Sequence, residues 1–193
     1  MARSAVQVTR VTPGDAEALA SLWRQSKVDE GFTGDHAERA LRDGRLVRCC
    51  DRPDVRVYLA SVDSEPVGYT VVMSGPVSAL QQSVAVWVDL LWVTPGRRGR
   101  GVSGALLGAV AAYAEQIGAT EVVSRVPSSN RDANRYFARL GFASVVTERS
   151  TTPAALRRRL AGPGFSGVQD AVRKRRSLRA LARVREASLS AAK

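Results

Sequence analysis

The sequence predicts an α/β domain, a sheet flanked by helices, followed by a basic C-terminal extension. Three observations carry that reading. Strand-like and helix-like hydrophobic patterns alternate over the first 149 residues in the order β-α-α-β-β-β-α-β-α-β. One long apolar run, Val84–Val93, passes through Pro95 and Gly96 into a basic, glycine-rich bend, and a helical pattern takes over from Val102. The charge is segregated: residues 1–150 carry a formal +2 and residues 151–193 carry +9 of the total +11.

Taken in order, Val6 to Val11 alternates apolar and polar residues as a strand does. Thr12-Pro13-Gly14-Asp15 is a helix-start signal, and the helix over 15–26 places Ala16, Leu19, Leu22 and Trp23 on one face. Residues 27–34 read as a polar loop holding Asp29, Glu30 and Phe32, and a second helix covers 35–50. Arg56–Val62 and Val67–Met73 are strands joined by the turn signal Asp63-Ser64-Glu65-Pro66. After a loop from Gly75 to Ser83 comes the long strand Val84–Val93. Helix 102–117, strand 120–126, helix 130–140 and strand 142–149 complete the domain, which is expected to span 1–149.

Residues 150–193 are read as a separate basic tail, helical or disordered. Ala154–Ala161 makes a short basic helix that Gly162-Pro163-Gly164 breaks. A second helical pattern, Gly167 to Leu189, is interleaved with Arg173, Lys174, Arg175, Arg176, Arg179, Arg183 and Arg185. Its apolar stripe is imperfect, so a helix formed on a partner and a docked helix both fit.

Composition narrows the class. With 45% hydrophobic residues, 193 residues suffice for one well-packed domain plus an appendage. No run approaches the roughly 18 apolar residues of a membrane span, and no signal-type segment opens the sequence, so a soluble cytoplasmic protein without membrane contact is expected. Cys49 and Cys50 are adjacent, which suits neither an ordinary disulfide nor zinc; they are expected to be reduced and partly buried. A single histidine, His36, argues against histidine-based triads and most metal sites, and no metal is expected.

The bend from Pro95 to Gly104 reads as an anion cradle. The first turn of a helix leaves backbone N–H groups unpaired and carries about half a positive charge. Gly99, Gly101 and Gly104 let a phosphate approach those donors, and Arg97, Arg98 and Arg100 add charge around it. Gly99-Arg100-Gly101-Val102-Ser103-Gly104 also spells the GxGxxG of a dinucleotide-binding unit, with Glu121 about twenty residues on. The context is wrong for that unit. Thr94 to Arg98 separate the strand from the first glycine, Glu121 opens rather than closes its strand, and too little chain follows for a doubly wound sheet.

Val93-x-Pro95-x-x-Arg98-Gly99-x-Gly101-Val102-x-Gly104-x-x-Leu107 resembles the acetyl-CoA signature of the GNAT superfamily of N-acetyltransferases. Asn130-x-x-Ala133-x-x-x-Phe137-x-x-x-Gly141-Phe142 resembles that family's second motif, in the expected order. Two departures stand out: Ser103 where Gly or Ala is usual, and Phe137 where many members have a tyrosine. The resemblance implies a mixed, mostly antiparallel GNAT-like sheet, parallel around the cofactor, with acetyl-CoA as co-substrate. It implies that Leu91, Trp92 and Val93 lie along the pantetheine arm and that Arg98, Gly99, Arg100, Gly101, Val102, Ser103 and Gly104 take the pyrophosphate. Asn130 either caps its helix or bonds the pantetheine, and Phe137 lies near the cofactor.

Acyl transfer to an amine requires a deprotonated amine and a proton for the leaving thiolate. Asp89 is the only acid on the long strand and is the candidate general base, directly or through a water; the alternative is a structural or substrate-orienting carboxylate. Tyr136 is the nearest hydroxyl to the missing tyrosine, but one residue along a helix is about 100° of rotation, so it and Phe137 cannot share a direction. Either Tyr136 is the acid or, as favoured here, the thiolate takes a proton from water. The resemblance places one acceptor wall at 27–34, where Asp29 and Glu30 either hold a cationic amine or are simply solvated. Trp87 and Trp92 either line the cleft or belong to the core.

The expected function is acetyl transfer from acetyl-CoA to a primary amine of a small molecule or protein, by a monomer or homodimer. One rival is a non-catalytic acyl-CoA sensor. Another is a nucleic-acid- or ribosome-associated protein acting through 151–193, whose arginines suit phosphate backbones.

Overall fold

Apolar alternation builds one sheet with a helical layer on each face. The computed structural model describes residues 5–32 and 34–161. The strands are β1 (Val6–Arg10), β2 (Val55–Val62), β3 (Glu65–Pro76), β4 (Val84–Val93) and β5 (Glu121–Ser124), and they lie side by side in chain order. β1 to β4 are mutually antiparallel; β5 runs parallel to β4. This is the mixed, mostly antiparallel sheet that the sequence resemblance implies.

Alternation within β2 sorts the two cores. Tyr58, Ala60 and Val62 face one side, with Val102, Leu106, Val110 and Tyr113 of α4 (Val102–Gln116). Val55, Val57 and Leu59 face the other, with Leu19 and Leu22 of α1 (Ala16–Asp29) and Leu46 of α3 (Arg45–Cys50). The β2–β3 turn is tighter than the turn signal implied, because Asp63 (φ 52°) and Ser64 (φ 67°) adopt the left-handed conformation of a two-residue hairpin.

Several boundaries differ from those read along the chain. The single helix expected over 35–50 is two, α2 (Gly34–Arg42) and α3, parted at Gly44, whose φ of +65° no regular helix accommodates. α1 extends through Asp29, so part of the expected loop 27–34 is helix. The expected strand 142–149 does not form. Val145 and Val146 are exposed, and nothing pairs with them as a ladder among the described residues. α5 (Arg131–Arg139) precedes that stretch.

The chain divides after Ala143. The second unit, described as far as Ala161, contains α6 (Pro153–Leu160), which Thr152 caps by accepting from the Ala155 N–H. α6 carries Arg157, Arg158 and Arg159. The helical pattern read over 167–189 lies outside the described residues. Among the described residues no helix is long and apolar enough to cross a membrane.

Gly68 fixes the spacing of β3 and β4 near the end of the long strand. A Cβ there would meet the Trp92 carbonyl oxygen at 2.8 Å and Val93 Cγ2 at 3.2 Å. Gly68→Ala is therefore expected to destabilise the domain by about 1–3 kcal/mol, read as a lowered urea midpoint. An unchanged midpoint would show that the two strands are not held this closely.

Candidate active site

β4 is apolar except at Asp89, and Asp89 is where its pairing slips. Val71 stands opposite Leu90 and Val72 opposite Val88, so Asp89 is the extra residue of a β-bulge. The bulge shifts the phase of every later side chain. Val86 and Val88 pack with α4, and unbroken alternation would carry Leu90 and Trp92 to that same face. Instead Leu91 and Val93 join the α4 core, while Leu90 and Trp92 join the α1 core. Asp89 is exposed, and with Leu90 it lines a cavity of roughly 210 Å3 between α1, α3 and the sheet.

The sheet also opens at this point. β5 pairs with β4 only from Ala85 to Val88, opposite Glu121 to Ser124. No strand pairs with Asp89–Val93 on that side among the described residues. The backbone of Leu91–Val93, expected to meet the pantetheine arm, thus borders the gap where β4 and β5 part.

Past Val93, Pro95–Arg97 forms one 3-10 turn, and Gly99 (φ +74°) and Gly101 (φ +87°) turn the chain into α4. Gly101 is the N-cap and offers no side-chain cap. The first helical bond runs from the Ala105 N–H to the Gly101 carbonyl, leaving the N–H groups of Val102, Ser103 and Gly104 without intrahelical partners. A Cβ built on Gly99, Gly101 or Gly104 meets nothing within 4 Å. The mouth of the bend is open space lined by amide donors, and the residues fit a phosphate there.

The arginines divide their labour. Arg98 Nε donates to the Val93 carbonyl at 3.0 Å, and its Nη2 bonds Asp29 Oδ2. The Trp92 indole N–H donates to that same oxygen at 3.1 Å. Arg97 pairs with Glu65 at 2.7 Å. Arg100 is exposed and has no ion-pair partner among the described residues. Asp29, read along the chain as a candidate amine holder, is thus the clamp between α1 and the bend. Glu30 is engaged too, by Lys27 at 2.6 Å, and the Lys27 ammonium lies 5.9 Å from the centroid of the Trp23 ring.

On α5, Asn130 accepts the Ala133 N–H at 3.1 Å and so caps the helix. Phe137 is buried, with its ring 5.0 Å from Phe142 and 5.7 Å from Tyr136. Tyr136 lies edge-on to Phe137, and burial pushes its hydroxyl up from its ordinary range. Cys49 and Cys50 line the cavity, and burial is the main cause that raises both thiols. Neither is activated as a nucleophile.

The family model described as "Acetyltransferase (GNAT) family" matches residues 17–142. The chain belongs to the GNAT acetyltransferase family. It carries an acetyltransferase domain, and the family uses acetyl-CoA. Comparison with curated proteins found no match. Among solved structures, the ribosomal-protein-alanine N-acetyltransferase of Brucella melitensis biovar Abortus 2308 superposes with a TM-score of 0.64 at 22% identity, covering 77% of this chain and 99% of that one. AAC(6')-Iy, in complex with the bisubstrate analogue CoA-S-monomethyl-acetylneamine, gives 0.62 at 21% identity, covering 77% and 100%. An aminoglycoside acetyltransferase from an uncultured soil metagenomic sample gives 0.67 at 15%, covering 77% and 98%. At these identities the likeness is one of fold.

Residue types alone did not reveal the cavity wall of Trp23, Leu46, Cys49 and Tyr69, or the clamp.

Asp29 supplies a pH-dependent term. The Arg98 bond foremost, then the Trp92 bond, holds its carboxyl below the usual carboxylate range. A depressed folded-state pKa stabilises the fold fully above the unfolded value of about 3.9, and that contribution is lost as pH falls through the folded value. Asp29→Asn is expected to lower the neutral-pH urea midpoint by the equivalent of about 1 kcal/mol, a small effect because the pair is part-exposed. The gap from the unaltered protein should close in strong acid. A gap that is constant with pH would show that the charge does not hold the clamp.

Proposed function

We propose that this GNAT domain transfers the acetyl group of acetyl-CoA to a primary amine. The observation that carries the reading is the open bend at Gly99–Gly104, where unpaired amide donors of α4 face space that side chains leave free. In this reading Val102, Ser103 and Gly104 hold the pyrophosphate through their N–H groups, Arg100 adds charge, and Arg98 positions the bend through Asp29 and Val93. Leu91, Trp92 and Val93 offer backbone groups to the pantetheine arm at the β4–β5 gap. The fit supports a phosphate-bearing ligand; the family membership supports acetyl-CoA as that ligand.

The thioester supplies an already activated acyl group, so the protein's tasks are orientation and proton handling. The acceptor enters from the cavity side, where Asp89 projects from the bulge. As an exposed carboxylate, Asp89 takes a proton from the bound ammonium, directly or through a water. The N–C bond then forms as the C–S bond breaks. The ammonium gives up two protons in becoming an amide, one before attack and one after it; the thiolate takes up one through water, and one is released overall. The cytoplasm, where acetyl-CoA is available, is the proposed location.

Two variants separate binding from chemistry. Gly104→Val fills open space without a strained φ, so it is expected to raise KM for acetyl-CoA roughly tenfold or more with little change in thermal stability. Asp89→Asn is expected to lower kcat about a hundredfold. Thiol release with amine panels measures both. Calorimetry showing no acetyl-CoA uptake would overturn the proposal at its first step, and near-normal turnover of Asp89→Asn across pH would remove Asp89 as the base.

A further inference from the structure

The cavity beneath the bulge is chemically one-sided. Its walls are Trp23 from α1, Leu46 and Cys49 from α3, and Tyr69, Asp89 and Leu90 from the sheet, with Arg45 also lining it. Among the described residues Asp89 is the one carboxylate of the lining. Asp29 is engaged by Arg98 and Trp92, Glu30 by Lys27, and Asp54 by Arg52. A cation already stands by the aromatic wall, since Lys27 Nζ lies 5.9 Å from the Trp23 ring centroid and 5.4 Å from that of Phe32. The Tyr69 hydroxyl is turned away into a buried bond with Ser26 at 2.7 Å, which leaves aromatic and aliphatic surface facing the cavity.

We propose that this cavity is the acceptor site and that it selects a monoamine carried on a compact apolar or aromatic body, with the ammonium at Asp89 and the body between Trp23, Leu46 and Tyr69. The inference rests on the acetyl-transfer reading and deepens it. One carboxylate matches one ammonium. A second ammonium on the same acceptor would enter an apolar pocket with Arg45 and Lys27 close by and no second carboxylate among the described lining residues, a costly desolvation. At roughly 210 Å3 the cavity is also smaller than the about 300–1,000 Å3 that encloses a drug-sized ligand, so it admits one compact group. A small free amine and the first residue of a peptide with an apolar N-terminus share this chemistry.

The test measures thiol release from acetyl-CoA with phenethylamine, with a tetrapeptide beginning in phenylalanine, and with spermidine. A kcat/KM for either aromatic amine at least roughly tenfold above that for spermidine is expected, and which of the two leads identifies the source. Spermidine equal or better would overturn the inference while leaving the transferase reading intact. Leu46→Glu, which adds a second carboxylate to the wall, is expected to shift the preference toward spermidine; an unmoved preference would place the acceptor elsewhere. A binding readout stands apart from activity. Phenethylamine in the cavity is expected to slow maleimide alkylation of Cys49 and Cys50 in the full chain, and spermidine is not. If no amine releases thiol, the transferase reading fails, and absent protection by phenethylamine would independently overturn the cavity assignment.

Discussion

One extra residue in β4 sets the register of everything around the site. A regular strand would send Asp89 and Trp92 to opposite faces, because they are three residues apart. With Asp89 looped into a bulge opposite the Val71–Val72 step, Asp89, Leu90 and Trp92 all turn toward α1, and Leu91 and Val93 turn toward α4. A carboxylate in an apolar strand is costly if buried. The bulge places it at a cavity wall where it stays exposed, and the same distortion brings the Trp92 indole to Asp29.

That second consequence links two sites that lie far apart along the chain. Asp29 closes α1, and Arg98 opens the glycine bend; their ion pair, with Trp92 bonding the same carboxylate oxygen, fastens the end of α1 to the bend. Arg98 also reaches back to the Val93 carbonyl, so the bend is anchored to the strand it leaves. A loop that must leave amide donors open to a ligand has few internal bonds of its own. These outside braces supply the rigidity it lacks.

The charge of the bend is correspondingly uneven. Arg97 and Arg98 are bound to Glu65 and Asp29, and Arg100 is the one of the three without an ion-pair partner among the described residues. A count of arginines therefore overstates the unpaired charge at the bend, where the amide donors at the start of α4 stand open beside a single unpaired arginine among the described residues.

Composition and periodicity alone determined the α/β class, the span of Val84–Val93, the helix from Val102 and the open glycine bend, because these depend on local pattern and on φ values that glycine supplies. The pair of motifs in order pointed to the GNAT family, and the family match over 17–142 agrees. Tertiary structure decided the rest. Local pattern predicted a strand over 142–149, but a strand needs a neighbour, and Val145 and Val146 remain exposed without one among the described residues. Asp29 read as a free acid because the guanidinium that claims it lies 69 positions away in the chain. The cavity, too, is assembled from α1, α3 and three strands, and no single segment carries its signature. Periodicity reports which face of an element is apolar; which faces meet, and which charges are spent on one another, follows only from packing.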